Sequence, residues 1–438
     1  MIIGIIGLGY VGLTLALVAA SKGITVYGIE IDEHVKDLLK QNKSHFYEKG
    51  INELLQTHNN KTFHVVDNFP KNVPFDAFIV TVGTPLAQSD AKTPNFNYIL
   101  SAVSSLQGIY DGSQMVILRS TVSVGTTRNF VLPLLEKMSS KNKEDILVGM
   151  CPERTIEGRA LVELTSLPQI ISGNNISSIN AAKTLFSKIT PSIVIADSLE
   201  EAELAKLYCN VYRDMTFAIG NAFCLAAQSF GIDGVKVIDR ANEGYPRSNI
   251  AKPGFVRGPC LEKDAHILLN NMPECLSKHL ILSARQLNES IENLVCSWVE
   301  KTIGPADSHG FITLTGMAFK GNPETSDLRG SSAVCIAQKL ASAGYKLYLH
   351  DFVVNPEDLQ KLNVGQAVSA DKLFEVCAQS KGLLILNNHQ RYASLNPKDL
   401  LSLNKDFHIL DIWNICRNRC THHNILIDTI GTMNIKEK

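Results

Sequence analysis

The loop Gly254-Phe255-Val256-Arg257-Gly258-Pro259-Cys260-Leu261-Glu262-Lys263-Asp264 sets one thiol among glycines and a proline, with an ammonium and a carboxylate just behind it. Glycine lets a backbone pass close to another molecule. A thiol attacks a carbonyl once a neighbouring cation or base favours its thiolate. Most cysteines are simply small buried apolar residues, so the loop gains meaning only if the rest of the chain serves it. A helical pattern starting near Ser198 offers Lys206 and Asn210, four residues apart, with Arg213 and Asp214 about a turn further on. Such spacing puts them on one face. Leu207, Val211 and Phe217 mark much of that helix as buried, where a lysine and an asparagine need polar partners.

A second constellation lies at the N-terminus. Residues 2–6 are a continuous apolar run, followed by Gly7-Leu8-Gly9-Tyr10-Val11-Gly12 and the apolar helical stretch Leu13 to Ala20. Strand, glycine turn and helix in that order allow a tight turn, close approach of a pyrophosphate and its placement at a helix N-terminus. Thr25 to Ile29 reads as the next strand, and Glu30 ends it, 18 residues after Gly12. A carboxylate at that distance bonds a ribose diol and repels a 2′-phosphate, so NAD is expected rather than NADP.

These residues require an α/β frame. Further strands are read at Phe75 to Val82, Gln114 to Leu118, Asp145 to Met150 and Ser192 to Ala196. Three of them run into Gly83-Thr84-Pro85, Arg119-Ser120-Thr121-Val122 and Cys151-Pro152-Glu153-Arg154, the polar ends where open α/β sheets collect ligands. Glu157 would lie one turn past Glu153 if a short helix began there. From Ser198, a plausible N-cap with Glu201 at the capping-box position, a helix runs to Phe230, about 48 Å at 1.5 Å per residue. Shorter helices follow to about Lys301, then the breaker segment Gly304 to Gly310. The α/β pattern restarts at Phe311 to Met317, with strands at 344–351, Gly382 to Leu386 and His408 to Ile412. This segment has no GxGxxG but offers Phe319-Lys320-Gly321 and Thr325 to Ser332 ahead of a helix, groups suited to phosphate. The expected architecture is two Rossmann-like doubly wound domains, 1–197 and 306–438, joined by a helical central domain, 198–305, with a long spanning helix.

Composition narrows the partners. Basic and acidic residues nearly balance, 42 against 43, which gives no case for nucleic acid or an anionic membrane. No apolar run reaches a membrane span, and Met1 to Ile6 lacks the marks of a signal peptide. The ten cysteines are expected as reduced thiols in the cytoplasm. Cys416, Cys420, His422 and His423 cluster near the C-terminus, but their spacing matches no familiar zinc pattern, so no metal is expected.

Taken together, Gly7 to Gly12, Glu30, Gly83-Thr84-Pro85, Ser120-Thr121-Val122, Cys151-Pro152-Glu153-Arg154, Lys206 with Asn210, the Cys260 loop, Phe319-Lys320 and Asp327-Leu328-Arg329 resemble the nucleotide-sugar 6-dehydrogenases over essentially the whole chain. The resemblance implies a four-electron oxidation of a sugar C6 alcohol to the carboxylate with two NAD, in a homodimer or higher homo-oligomer. By the same resemblance, Cys260 forms a thiohemiacetal and then a thioester, Lys206 and Asn210 stabilise the oxyanion, and Asp264, Glu153 and Thr121 position or activate water. Gly7, Gly9, Tyr10, Val11, Gly12, Glu30, Thr84, Thr121, Glu157, Lys263 and Arg329 would line NAD. Glu153, Arg154, Lys206, Asn210, Arg213, Arg247, Phe255, Arg257, Gly258 and Lys320 would hold the UDP-sugar.

The sugar is less firmly marked. Cys151 to Arg154 and Tyr212-Arg213-Asp214 resemble the UDP-N-acetylhexosamine branch, of the UDP-N-acetylmannosamine type, whereas Lys263-Asp264 resembles the UDP-glucose branch. Arg213 would face an N-acetyl or acidic substituent, or pair with Asp214. Two rivals use the same N-terminal domain: a two-electron hydroxyacid dehydrogenase, which needs no cysteine, and a non-catalytic NAD-binding protein.

Overall fold

The computed structural model describes residues 1–87, 93–270, 272–306, 310–395, 407–416 and 427–433. The chain forms two compact units, Met1–Asn210 with His266–Pro273, and Val211–Ala265 with Glu274–Lys438.

In the first unit, β1 (Ile2–Ile6), β2 (Thr25–Ile29), β3 (Phe63–Val66), β4 (Ala77–Val80), β5 (Met115–Leu118) and β6 (Val148–Met150) form a parallel sheet in the order β3-β2-β1-β4-β5-β6. The order reverses between β1 and β4, and a crevice opens at such a switch point beyond the strand ends. The helix Tyr10–Ser21 carries no acidic or basic residue in its end turns and is buried from Gly12 to Ala20. A Cβ at Gly12 would run into the Gly7 carbonyl, so only glycine permits this helix to lie so close to the turn. β3 was not anticipated: its Phe63-His64-Val65-Val66 is too short to declare a period. The segment read as the first domain's last strand is β8 (Ile193–Ile195), which pairs with β7 (Gln169–Ile171) in a separate two-stranded sheet.

In the second unit, β9 (Phe311–Thr315), β10 (Lys346–His350), β11 (Gln366–Val368), β12 (Ser380–Ile385), β13 (His408–Asp411) and β14 (Ile427–Asp428) repeat the same winding, β11-β10-β9-β12-β13-β14. Its core includes Leu314, Ile336, Leu349, Leu384 and Leu410.

The long helix is Leu199–Ser229, 31 residues, or about 46 Å. Its start departs slightly from the expected box. Ser198 Oγ accepts the Glu201 amide at 3.0 Å, but the Glu201 carboxylate takes the Asp197 amide at 2.7 Å, one residue early. Either way, amide donors left over at the helix start are satisfied.

Candidate active site

The first unit brings the N-terminal candidates together. Gly7 has φ +92°, a conformation that costs glycine nothing, and Gly9 caps the first helix. Glu30 accepts the Leu8 amide at 2.8 Å through one oxygen and the Ile31 and Asp32 amides at 2.8 and 3.1 Å through the other. Its carboxylate is thus fixed at the strand end, beside the glycine turn. A cavity of about 320 Å³ opens there, lined by Gly7, Gly9, Glu30, Gly83, Tyr98 and Ser101 among others. Neither Lys nor Arg is among its described lining residues, so nothing there would neutralise a 2′-phosphate. A glycine cradle, a held carboxylate and a cavity whose described lining has no Lys or Arg fit NAD. Tyr10 adds a contact that its motif does not predict: its hydroxyl donates to buried Glu48, whose Oε2 also accepts the Gly158 amide at 2.8 Å.

The polar strand ends lie side by side, as β4, β5 and β6 are neighbours. Thr84 Oγ1 donates to the Thr121 carbonyl at 2.6 Å. Glu153 is 9 % exposed and accepts the Thr155 amide; Arg154 donates to the Pro168 carbonyl. No helix begins at Glu153. The segment 151–156 is irregular, a turn covers 157–158, and the next helix starts at Ala160, so Glu157 is not one helical turn beyond Glu153.

Lys206 and Asn210 are buried, at 6 and 8 % exposure. What fixes the start of their helix has no local signal in the sequence. Glu203, 1 % exposed, accepts the Gly125 amide at 2.5 Å, the Thr127 amide at 2.8 Å and the Thr127 hydroxyl at 2.6 Å. Burial raises its carboxyl above the ordinary range, with these donors working the other way. Arg128 adds a two-point ion pair to Glu200 at 2.6 and 3.0 Å. The start of the long helix is thereby tied to the loop after β5, which carries Thr121.

The second unit holds the thiol. Cys260 is exposed and directly precedes the helix Leu261–Asn270; its carbonyl accepts the Lys263 and Asp264 amides at 3.2 and 3.0 Å. A helix N-terminus favours a thiolate, a feature that Gly/Pro content alone did not disclose. Lys263 Nζ lies 2.9 Å from Asp264 Oδ1, and Asp264 is 0 % exposed. Burial works against the Lys263 charge, but Asp264 and then Cys260 outweigh it and hold the ammonium above its usual value.

The cysteine loop is wedged in place. Gly258, φ +100°, donates to the Gly330 carbonyl at 2.8 Å, and a Cβ there would run into the Phe319 ring. A Cβ on Gly254 would meet the Trp413 indole at 2.6 Å. Phe255 is buried, and Arg257 pairs with Glu292 at 2.7 Å and also with Glu262. Lys320 lies 5.3 Å from the Phe319 ring centroid. The loop bearing Lys320 is pinned by Asp351, which accepts the Ala318 amide at 3.0 Å, and by Asn388, which accepts the Gly321 and Asn322 amides at 2.8 and 3.0 Å. Arg329 is largely exposed and pairs with Asp327 at 2.6 Å. Arg247 donates to the Tyr245 hydroxyl at 2.9 Å.

One expected pairing is corrected. Arg213 is exposed, and Asp214 pairs instead with Arg285 at 2.6 Å, both side chains almost fully buried. Successive positions on the helix are about 100° apart; here Arg213 lies on the exposed side and Asp214 on the buried one. The Cys416, Cys420, His422, His423 cluster lies mostly outside the described residues; Cys416 itself is buried and its thiol donates to the Tyr392 carbonyl at 2.9 Å.

The other thiols differ sharply in chemistry. Cys151, beside the strand-end loop, is fully buried and pushed up to about 12 by that burial. Cys224 and Cys377 are pushed up to about 12 for the same reason. Brief iodoacetamide treatment of the native protein at neutral pH is expected to label Cys260 and to spare Cys151, Cys224 and Cys377. Peptide mass spectrometry reads this directly, and early label on Cys151 would move the candidate nucleophile to the other strand end.

Comparison with known proteins identifies the family. Residues 1–190 match the NAD binding domain, 200–290 the central domain and 313–418 the UDP binding domain of the UDP-glucose/GDP-mannose dehydrogenase family. The UDP-N-acetyl-D-mannosamine dehydrogenase of Campylobacter jejuni is 30% identical over 413 residues, 91% of this chain and 98% of that one. The NDP-N-acetyl-D-galactosaminuronic acid dehydrogenase of Ralstonia nicotianae is 30% identical, over 91% of this chain and 93% of its own. The solved UDP-D-ManNAc dehydrogenase of Pyrococcus horikoshii superposes with a TM-score of 0.84 at 28% identity, covering 99% of this chain and 100% of that one. With its NAD cradle, its second wound sheet and this likeness along nearly its full length, the chain belongs to the UDP-glucose/GDP-mannose dehydrogenase family and is an NAD-dependent nucleotide-sugar dehydrogenase.

Proposed function

We propose that the chain oxidises the C6 alcohol of a UDP-N-acetylhexosamine, of the UDP-N-acetylmannosamine type, to the uronate in two steps. The carrying observation is an exposed thiol at the N-terminus of a helix, with Lys263 and Asp264 in its first turn. NAD, bound once for each step, supplies the hydride acceptor. In the first step the C6 hydroxyl gives up its proton and a hydride leaves C6, producing the aldehyde. Cys260 adds to that carbonyl, and a C–S bond forms as the oxygen takes negative charge. Lys206 and Asn210 are donors suited to that oxygen. Loss of the second hydride leaves a thioester; water, deprotonated with help from Asp264, Glu153 or Thr121, displaces the thiolate and yields the acid. A covalent adduct keeps the aldehyde from escaping between oxidations.

The UDP-N-acetylmannosamine assignment follows the names of the relatives from Campylobacter jejuni and Pyrococcus horikoshii. UDP-glucose is the second reading, favoured by the Lys263–Asp264 pair. In this reading 1–197 binds NAD, 198–305 is the central segment and 306–438 binds the nucleotide. A cytoplasmic homodimer is proposed: Tyr212, Ile219 and Phe223 leave an apolar stripe on the long helix, 71, 48 and 50 % exposed. Among the described residues, no helix is long and apolar enough to cross a membrane. The test is NADH release across UDP-glucose and the UDP-N-acetyl derivatives of glucosamine, galactosamine and mannosamine. Two NADH per UDP-N-acetylmannosamine is expected. One NADH per sugar would favour a two-electron dehydrogenase, and faster turnover of UDP-glucose would replace the sugar.

A further inference from the structure

We propose that Asn221, Asn288, Asp214 and Arg285 act together as a positioning network that sets where the Cys260 thiol stands. All four are almost fully buried, at 0 to 1 % exposure. Asn221 grips Gly254 at both backbone groups, accepting its amide at 2.9 Å and donating to its carbonyl at 3.0 Å. Its amide nitrogen also donates to Asn288 Oδ1 at 3.0 Å. Asn288 in turn donates to Asp214, to the carbonyl at 2.9 Å and the carboxylate at 2.8 Å. Arg285 completes the chain. One arm of its guanidinium donates to Asp214 at 2.6 Å and the Leu261 carbonyl at 3.2 Å, and the other donates to the Val256 carbonyl at 2.7 Å.

The loop is therefore held at residues 254, 256 and 261, on both sides of Cys260. The holding groups sit on two helices, Leu199–Ser229 and Leu276–Trp298, that meet nowhere in sequence. A buried ion pair is poor value as a stabiliser, since apolar residues of equal volume often do as well. A planar fork reaching two carbonyls and a carboxylate fixes geometry in a way that apolar packing does not. Position matters here, because a displacement of about 1 Å can cost a reaction roughly a hundredfold.

The inference rests on Cys260 being the nucleophile, and its test separates the two ideas. Asn221→Ala removes both bonds to Gly254 while leaving the ion pair whole. Arg285→Lys keeps the charge opposite Asp214 but cannot span both carbonyls. Each variant is compared with the unchanged protein in thermal unfolding, KM for NAD, kcat, and the rate of Cys260 alkylation as a function of pH. Expected are a kcat lower by about tenfold, a KM for NAD within about twofold, and a displaced Cys260 alkylation profile. A folded variant whose alkylation profile and kcat both match the unchanged protein overturns the proposal. So does a variant that loses only thermal stability. If Asn221→Ala does not fold, Arg285→Lys decides by the same readings. Should Cys260→Ser keep full turnover, the nucleophile reading fails, while the alkylation profile still reports whether the network places the thiol.

Discussion

Replacing Cys260 by alanine should lower acid formation by at least about a thousandfold, the scale lost when a covalent nucleophile is removed. The expected residual product is informative. The first oxidation requires a hydride acceptor and a base but no thiol, so a folded variant should stop at the aldehyde or its hydrate. Reaction with NAD and UDP-N-acetylmannosamine should give about one NADH per sugar oxidised, with the aldehyde level seen by mass spectrometry. Cys260→Ser tests the same step differently. A hydroxyl in that place lacks the thiol's acidity, so neither the helix N-terminus nor Lys263 provides it with comparable activation. Full turnover to the acid in either variant, with two NADH per sugar, would remove the covalent step from the scheme. Cys151 is not a substitute, because it is fully buried and its thiol is pushed up to about 12.

How far the sequence reveals this molecule depends on whether the determining contacts are local. Gly7, Gly9, Gly12 and Glu30 are legible because a strand, a turn and a helix within about thirty residues dictate what each must do. The second wound sheet is legible from repeated short apolar runs. Three of the four edge strands are not: β3, β11 and β14 are short and carry no clear alternation. The pairing of β8 with β7 was equally hidden, since an apolar run does not name its neighbour. In the site, Lys206 and Asn210 announce themselves by spacing, but Glu203 does not. Its partners, Gly125 and Thr127, lie more than seventy residues away. Arg285 is the sharper case. On a helix otherwise full of polar residues it reads as one more solvated cation, yet it is 0 % exposed. Asp214, adjacent to Arg213 in the chain, invites a local pairing, yet it pairs with Arg285, 71 residues away. Long-range polar contacts between helices leave no periodic trace.

The second large effect is expected at Lys206. Lys206→Ala should reduce kcat by about a hundredfold to a thousandfold, the range observed when a preorganised donor to a developing oxyanion is lost. KM for NAD should change little, because the glycine turn and Glu30 lie on other elements. The reason to expect so much from one side chain is its preparation. The lysine is 6 % exposed, on a helix whose first turns are fixed by Glu203 to Gly125 and Thr127 and by Arg128 to Glu200. A charge held in place before the substrate arrives need not reorganise when negative charge appears on the C6 oxygen, and in low-polarity surroundings it acts more strongly than in water. Asn210→Ala should cost less, since a neutral donor stabilises an anion less than a cation does. Arg at position 206 should not restore activity, because a planar guanidinium is broader than an ammonium and aims its donors differently. If Lys206→Ala instead raised KM for the UDP-sugar and left kcat intact, Lys206 would bind the ground state and transition state equally, and the oxyanion role would pass to another donor.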